Sequence, residues 1–286
     1  MSDVRGLLFG TAGVPDTTPQ DTTLAAVGRI RELGLDCLEI EFVHGVRLGL
    51  DTAAKIKAKA EGLGVRLSVH APYYVNLNSP EPGKRLQSQE HILRAARMAQ
   101  ACGARSVVFH AGYYGLAAPE SAAEKVRKGL AEVLSVLRAE RSPVALRIET
   151  MGKRSQFGTL DEVLSLCRDL DGLRPCLDFS HLYAREGRVN SYLEFGRVLR
   201  KVGKRLGREA LRDVHIHVSG SDFNDKGEIR HLNLAESDFR FDEWIGALRD
   251  AGAEGLVVCE SPNREADAQM LKSLYRSLRQ KEASIA

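Results

Sequence analysis

The sequence has no long hydrophobic run, no closely spaced pair of cysteines and no large excess of charge of either sign. Its longest apolar runs have the length of strands, which is too short for a membrane span. The five cysteines are scattered and odd in number, so they are predicted to be reduced, mostly buried thiols rather than disulfides. The first residues carry no signal-peptide pattern. These absences predict a cytoplasmic protein that neither spans nor enters a membrane.

The charge balance is nearly even. Lys and Arg number 41 against 38 Asp and Glu, which gives a formal net charge of +3 and a sequence pI of about 8.6. The whole molecule is therefore not a polycation, and any affinity for nucleic acid must come from a local patch. Patterns for a Gly-rich phosphate loop, a Ser/His/Asp nucleophile elbow and a catalytic cysteine are also missing. The chemistry must come from other residues.

What the sequence does contain is eight repeats of a short apolar run followed by a helical pattern. The predicted strands are residues 6–9, 37–42 (ending near Glu41), 66–70, 106–110, 144–149, 174–178, 213–218 and 255–260. The predicted helices are residues 22–33, 52–63, 87–101, 118–139, 160–170 and 191–206, with a final pair around the last strand. No composition break separates the repeats, so we predict a single (β/α)8 TIM barrel over residues 1–286. A doubly wound sheet is the alternative, but such sheets usually have fewer strands and a Gly-rich loop.

Strand after strand in this pattern ends in His, Glu or Asp. In a barrel of this kind, the carboxyl ends of the strands and the loops after them form the face where active sites are built. Each residue alone has an ordinary explanation, such as a hydrogen-bonded His or a Glu paired with an Arg, but six of the eight histidines fall at or just after strand ends. The residues predicted to converge on one rim are His70, His110, Glu149, Asp178, His181, His217, His231 and Glu260.

Imidazole and carboxylate ligands without thiolate suit Zn²⁺, or similar ions such as Mn²⁺ and Fe²⁺. More than four such ligands indicate more than one ion. A centre of that kind activates a bridging water, neutralises an anionic substrate and stabilises a leaving oxygen, which is the chemistry of phosphodiester hydrolysis. The sequence therefore predicts a metal-dependent hydrolase.

At this point the chain resembles the endonuclease IV family, the metal-dependent apurinic/apyrimidinic endonucleases of base excision repair, within the xylose isomerase-like TIM barrels. The resemblance runs along almost the whole barrel. It rests on five motifs in matching order: His70-Ala-Pro-Tyr73 with Val-Asn76-Leu, Phe109-His110-Ala-Gly112, Ile148-Glu149-Thr with a Gly-rich loop, Leu177-Asp178-x-x-His181, and Cys259-Glu260.

The resemblance implies three metal ions. Because the third site departs from the family pattern, the expectation is two or three Zn²⁺ ions per chain. The first ion is held by His70, His110 and Glu149. Glu149 bridges to a second ion, which is also held by Asp178, Glu260 and a strand-seven His. The third ion is bound by His181 and His231. Glu149 and Glu260 are the implied catalytic residues, because both would hold or activate the attacking water.

The implied substrate is duplex DNA with an abasic site. The family cleaves the phosphodiester on the 5′ side of the lesion and leaves a 3′-hydroxyl, and the chain is expected to be a monomer. Tyr73 matches the residue of the family that enters the DNA at the lesion. Lys153, Arg154 and Arg185 are predicted phosphate contacts, although basic residues in a solvated loop would look the same.

Two positions depart from the family pattern. Where the third metal site of the family has an Asp two residues before its His, this chain has Ile229, with Glu228 one residue further back. Strand seven offers His215 and His217 where the family has one; His217, nearer the strand end, is preferred, and His215 is the alternative. The filling of the third site is therefore open.

Two other functions remain open as well. A sugar isomerase or epimerase would use Glu149, Asp178, a strand-seven His and Glu260, but it leaves the other histidines without a role. A non-catalytic relative that binds damaged DNA is the second alternative, and the altered Ile229 position is the feature that favours it.

Overall fold

The computed structural model of the protein describes residues 6–283. The strands are β1 (Leu7–Ala12), β2 (Cys37–Glu41), β3 (Arg66–His70), β4 (Ser106–Phe109), β5 (Ala145–Glu149), β6 (Leu173–Asp178), β7 (Val214–Val218), β8 (Gly220–Asn224), β9 (Gly227–Leu232) and β10 (Gly255–Cys259). The helices are α1 (Thr23–Glu32), α2 (Leu50–Leu63), α3 (Pro82–Cys102), α4 (Pro119–Ala139), α5 (Leu160–Asp169), α6 (Phe179–Glu186), α7 (Tyr192–Leu206), α8 (Phe241–Asp250) and α9 (Glu265–Ala283).

Eight of the strands close into a parallel barrel. Their order around the barrel is β1, β10, β7, β6, β5, β4, β3 and β2, and β1 pairs with both β2 and β10. Helices lie between successive strands, and a contiguous apolar core packs them against the barrel. The predicted (β/α)8 TIM barrel is confirmed.

Local sequence signals account for where several helices begin and end. Thr22 caps α1 with its side chain, which accepts a hydrogen bond from the backbone of Ala25. Thr159 and Glu162 form a reciprocal capping box at the start of α5. Gly64 ends α2 in the left-handed conformation that glycine adopts without strain. These caps fix the lengths of the helices and therefore the positions of the strand ends.

The first strand and the third helix are longer than predicted. We expected the first strand to end before Gly10, but β1 continues to Ala12 because Gly10 allows the backbone to approach β2; a Cβ at this position would clash with the carbonyl of Cys37. Helix α3 begins at Pro82 rather than near residue 87, because proline is well tolerated in the first turn of a helix.

The segments after β6 and β7 differ more from the sequence-based expectation. The sequence analysis predicts no helix between residues 178 and 191, but α6 begins directly at Phe179, so His181 lies in its first turn. The residues around His231, where the sequence predicts no strand, form an antiparallel hairpin of β8 and β9. The sequence did not reveal the hairpin because its strands are polar and only partly buried, without a run of apolar residues.

The five cysteines are free, and four of them are buried. Within residues 6–283, no helix combines the length and the apolar character needed to cross a bilayer.

Candidate metal centre

The predicted ligands converge at the carboxyl end of the barrel. A cavity of about 280 Å³ opens there, and its walls include His70, His110, Glu149, His181, Glu228, His231 and Glu260. Asp178 and His217 are fully buried next to Glu149. Among the described residues, four groups of ligand atoms are compact enough to hold an ion; three consist of histidines and carboxylates at this end of the barrel, and the fourth consists of Cys176, His215 and His217.

The first cluster consists of His70, His110 and Glu149. The Nε2 atoms of both histidines lie 3.2 Å from the same carboxylate oxygen, Glu149 Oε2. Their rings meet edge to face with centroids 5.0 Å apart. The three residues stand at the carboxyl ends of β3, β4 and β5. These strands are neighbours in the barrel, and this brings the three side chains together.

The second cluster shares Glu149 with the first and adds Asp178, His217 and Glu260. His217 Nδ1 lies 3.2 Å from Glu260 Oε1 and 3.7 Å from Glu149 Oε2. Among the described residues, the buried atoms Asp178 Oδ2 and His217 Nδ1 have no hydrogen-bond partner. Buried polar atoms are costly without a partner. Two orphaned ligand atoms in one cluster of carboxylates and imidazole fit a divalent cation such as Zn²⁺, Mn²⁺ or Fe²⁺.

The third cluster consists of His181, Glu228 and His231. Glu228 Oε2 lies 3.3 Å from His181 Nε2, and Glu228 Oε1 lies 2.9 Å from His231 Nε2. Ile229, which stands where the family has its Asp ligand, is half exposed, whereas the Glu228 carboxylate is mostly buried. Glu228 therefore supplies the carboxylate that the sequence comparison found missing at Ile229.

A β-bulge explains how Glu228 reaches this cluster. Residues three apart on a regular strand point to opposite faces. Between β8 and β9 the register shifts, so that Asp222 pairs with Arg230 but Phe223 pairs with Glu228, and Ile229 is the extra residue. The bulge returns Glu228 to the face of His231.

Two glycines let the hairpin approach the barrel. Gly227, with φ of 97°, sits so close to the backbone of Gly152 that a Cβ would overlap its carbonyl oxygen. A Cβ on Gly152 would in turn lie 2.9 Å from both Glu228 and His181. The absence of side chains at both positions brings the hairpin carboxylate to the histidine of α6.

Backbone carbonyls orient three of the imidazoles. The Nδ1 atoms of His70, His181 and His231 lie 2.7, 2.9 and 3.0 Å from the carbonyl oxygens of residues 71, 150 and 260. A carbonyl can only accept a hydrogen bond, so each Nδ1 carries the proton and each Nε2 is left to bind a cation. The three rings are held with Nε2 toward the cavity, which is the orientation that a metal ligand needs.

The electrostatics of the centre follow from buried carboxylates facing imidazoles. Burial by itself raises the pKa of Glu149, but the imidazoles of His110 and His217 outweigh it and hold that pKa well below its usual range. Burial lowers the pKa of His70, but the hydrogen bond to Glu149 and other carboxylates raise it to about 10. Carboxylates likewise raise the pKa of His231 to about 9 against the effect of burial. Cations binding here must displace these protons.

His215 lies outside the cluster of Glu149, Asp178, His217 and Glu260, although its ligand atoms group with those of His217 and Cys176. Its Nε2 is 2.9 Å from Glu39 Oε2, and its Nδ1 is 3.4 Å from Ser106 Oγ. His217 is the strand-seven histidine next to Glu149, Asp178 and Glu260, which agrees with the preference for this residue.

Sequence reasoning missed two carboxylates of the centre, Glu39 and Glu41 on β2. Glu39 is fully buried, and Glu41 lines the cavity with its Oε1 buried and without a hydrogen-bond partner among the described residues. Burial raises the pKa of Glu41 to about 8. The alternation of residues 37–42 was the available signal, because it places both carboxylates on the same face of a strand that ends at this rim.

The four predicted DNA contacts lie around the cavity. Tyr73 is 52% exposed and lines it, as does Lys153, while Arg154 is exposed next to Lys153. Arg185 has another role: its Nη1 donates to the carbonyls of Met151 and Gln156 at 3.3 and 3.1 Å, and also to that of Lys153. Arg185 therefore holds the loop after β5, and its contact with phosphate stays a prediction.

A larger cavity, of about 560 Å³, lies at the amino ends of β6 and β7. It contains none of the predicted ligands. The arginines that line it are ion-paired: Arg168 with Asp169, Arg174 with Asp213, Arg205 with Asp161 and Arg212 with Glu209. Residues at this end of a TIM barrel usually serve stability rather than chemistry.

The fold and the centre place the chain in a known class of barrel. Residues 27–281 match the family described as xylose isomerase-like TIM barrel, and the chain belongs to this family. It is 43% identical to the uncharacterized protein MJ0133 of Methanocaldococcus jannaschii over 273 residues, 95% of this chain and 98% of that protein. It is 27% identical over 201 residues, 68% of each chain, to a Mycoplasma pneumoniae protein named Probable endonuclease 4.

Two solved structures share the fold equally well. The crystal structure of endonuclease IV from Thermus thermophilus has a TM-score of 0.74 at 20% identity and covers 97% of this chain and 99% of its own. A D-tagatose 3-epimerase-like protein also has a TM-score of 0.74, at 22% identity, and covers 96% of this chain and 100% of its own. These likenesses establish the fold and leave the reaction open.

Proposed function

We propose that the protein is a metal-dependent endonuclease that cleaves duplex DNA on the 5′ side of an abasic site and leaves a 3′-hydroxyl. The observation that carries this proposal is the set of three adjoining ligand clusters: Glu149 belongs to two of them and contacts His181 of the third. One ion needs about four ligands, and nine residues are gathered here. A centre of several ions suits the displacement at a phosphodiester, where charge develops on both the attacking and the leaving oxygen.

The names of similar proteins support the same proposal. The relative from Mycoplasma pneumoniae is named an endonuclease 4, and a structure with the same fold is an endonuclease IV. The motifs around His70, His110, Glu149, Asp178 and Glu260 resemble that family and follow in the same order.

The residues of this chain have separate tasks in the proposed reaction. Divalent ions, when bound, lower the pKa of water and neutralise the charge of an anionic substrate. Glu260, whose carboxylate is 15% exposed at the cavity, accepts a proton from the attacking water. Tyr73 packs against the DNA at the gap left by the missing base, and Lys153 contacts a neighbouring phosphate. An abasic nucleotide enters the cavity at low cost because it has no base to unstack.

A sugar epimerase is the second candidate, and one observation favours it. Glu149, Asp178, His217 and Glu260 form a complete four-ligand set for one ion by themselves. A cavity of about 280 Å³ fits a ketohexose as well as an abasic deoxyribose. The nuclease remains the better proposal because an epimerase with one ion leaves the cluster of His181, Glu228 and His231 without a task.

Parallel assays of the same protein preparation test the two candidates. We expect incision of a duplex with a single abasic site, loss of incision on adding a chelator, and a 3′-hydroxyl at the new end. An undamaged duplex and D-tagatose should be left unchanged. Epimerisation of D-tagatose without incision would favour the sugar enzyme, and tight binding of the abasic duplex without incision by metal-loaded protein would favour a damage-binding protein.

A further inference from the structure

Glu39 is a fully buried carboxylate to which the proposed mechanism gives no role. It lies on β2, inside the barrel, and contacts the two histidines of β7 on the far side. Glu39 Oε1 is 2.8 Å from His217 Nε2, and Glu39 Oε2 is 2.9 Å from His215 Nε2. Ser68 donates its hydroxyl to Oε2 at 2.7 Å.

This arrangement leaves Glu39 little freedom to move. Each carboxylate oxygen faces a different imidazole, and both imidazoles are themselves fully buried. Ser106 Oγ faces the other nitrogen of His215 at 3.4 Å. A buried charge of this kind is stable only when several partners compensate it, so the geometry is fixed from strands β2, β3, β4 and β7 together.

His217 is oriented in the opposite sense to three other imidazoles of the centre. His70, His181 and His231 present Nδ1 to a backbone carbonyl and Nε2 to the cavity. His217 presents Nε2 to Glu39 and Nδ1 to Glu260 and Glu149. Glu39 Oε1 and His217 Nε2 lie at ion-pair distance but are not aligned for a hydrogen bond, so Glu39 acts on the remote nitrogen through its charge. A negative charge there favours a proton on Nε2 and leaves Nδ1 to face the cluster.

We propose that Glu39 is a positioning residue that holds His217 with Nδ1 toward the cluster of Glu149, Asp178 and Glu260. His215 supports Glu39 from the other side and is not a metal ligand. This inference rests on the proposed metal centre, but it holds whether the centre cleaves DNA or epimerises a sugar.

Zinc binding by Glu39→Gln tests the inference independently of any reaction. The amide keeps the size of the side chain and removes its charge. We expect the variant to bind the same number of Zn²⁺ ions as the wild type at saturation, with one ion bound about 10 to 100 times more weakly in a chelator competition. The visible spectrum of the Co²⁺-substituted variant should change as well, since the imidazole at that ion is no longer held in place. An unchanged affinity for every ion in a folded Glu39→Gln protein would overturn the proposal.

Two further variants separate a positioning role from a ligand role. His215→Gln should keep the full number of ions at saturation; loss of one ion at saturation would make His215 a ligand and contradict the proposal. Cys176→Ser should keep every affinity, although Cys176 lies close to both histidines. Loss of an ion in Cys176→Ser would indicate a thiolate site between the two histidines and would also overturn it. Circular dichroism of each metal-free variant checks that the barrel is folded.

The outcomes distinguish this inference from the proposed function. Wild-type protein that binds zinc but does not cut DNA contradicts the endonuclease and leaves the role of Glu39 intact. Wild-type protein that cuts DNA, with Glu39→Gln binding zinc equally tightly, contradicts only the role of Glu39.

Discussion

Glu149 is the residue that joins the three clusters. Its Oε2 faces His70 and His110 at 3.2 Å, and its Oε1 lies 3.1 Å from His181 Nδ1. It is also a member of the cluster with Asp178 and Glu260. A single carboxylate at the end of β5 therefore touches every part of the centre.

Replacing Glu149 with glutamine should remove the ions of the first two clusters and the activity together. The amide removes the bridging charge, and activity should fall by more than about 100-fold, which is the upper end of the loss seen when a residue that only supports a ligand is removed. The apolar core is untouched, so the barrel should stay folded. Metal analysis, incision rate and circular dichroism of Glu149→Gln check this, and a folded variant that cuts at the wild-type rate would contradict it.

Some residues of the centre can be predicted from the sequence and others cannot. The histidines and carboxylates at the ends of strands stand out because they interrupt apolar runs at a repeated position. Glu39 and Glu41 do not stand out, since alternation with apolar residues on β2 is also the pattern of an ordinary half-exposed strand. Only the closure of the barrel turns that face inward and places Glu39 against His215 and His217.

At the scale of elements, the hairpin of β8 and β9 decides whether the third cluster exists. The sequence shows a substitution at Ile229, but the bulge that compensates for it is a property of the pairing between two strands. Helix α6 was missed for a related reason: Asp178 acts at once as the strand end and as the helix cap, accepting a hydrogen bond from the backbone of His181 at 2.7 Å. No loop residues remain there to mark the boundary.

Deleting Ile229 should preserve the third cluster. Without the extra residue, Glu228 and His231 stand two positions apart on a regular strand and still share a face. We expect the deletion variant to bind as many ions as the wild type, while Glu228→Ala should bind one fewer. Zinc analysis of both proteins checks this prediction. Loss of an ion on deletion of Ile229 alone would contradict it, because the bulge would then do more than place Glu228 on the same face of the strand as His231.

Arg185 should act as a structural residue of the loop after β5. In Arg185→Met, the carbonyls of Met151, Lys153 and Gln156 lose a charged donor, so amide hydrogen exchange in residues 151–158 should become faster. If Arg185 also contacts phosphate, the salt dependence of DNA binding should fall by about one charge. Unchanged exchange in the loop would contradict the structural role.

At the scale of the whole molecule, the fold was predictable because eight repeats of strand and helix leave few alternatives. The reaction was not, since one set of four ligands at Glu149, Asp178, His217 and Glu260 serves both a nuclease and a sugar enzyme. Fold similarity does not separate them, as structures of both kinds match the barrel with a TM-score of 0.74.

The stability of the metal-free protein should fall as pH rises from about 6.5 to about 10. The folded state raises the pKa of His70 to about 10 and that of His231 to about 9, so their stabilisation is complete below the unfolded value of 6.5 and is lost as they deprotonate. Glu41, with a pKa raised to about 8, acts in the same direction up to about pH 8, because its carboxyl ionises in the unfolded state before it does in the folded state.

Urea unfolding of chelator-treated protein across this pH range measures the effect. Saturating zinc should remove the decline, because the bound ions replace the protons on the imidazoles. A metal-free protein whose stability is constant from about pH 6.5 to about pH 10 would mean that these histidines are not held in their charged form.

The most direct test of the account is a zinc titration of the metal-free protein, with incision of a duplex carrying one abasic site measured at each step. The account predicts that incision appears only after more than one ion has bound per chain, and that it reaches its maximum at two or three. Full incision with a single ion bound, or no incision by folded protein at its full complement of zinc, would contradict the proposal that Glu149 joins several ions into one nuclease centre.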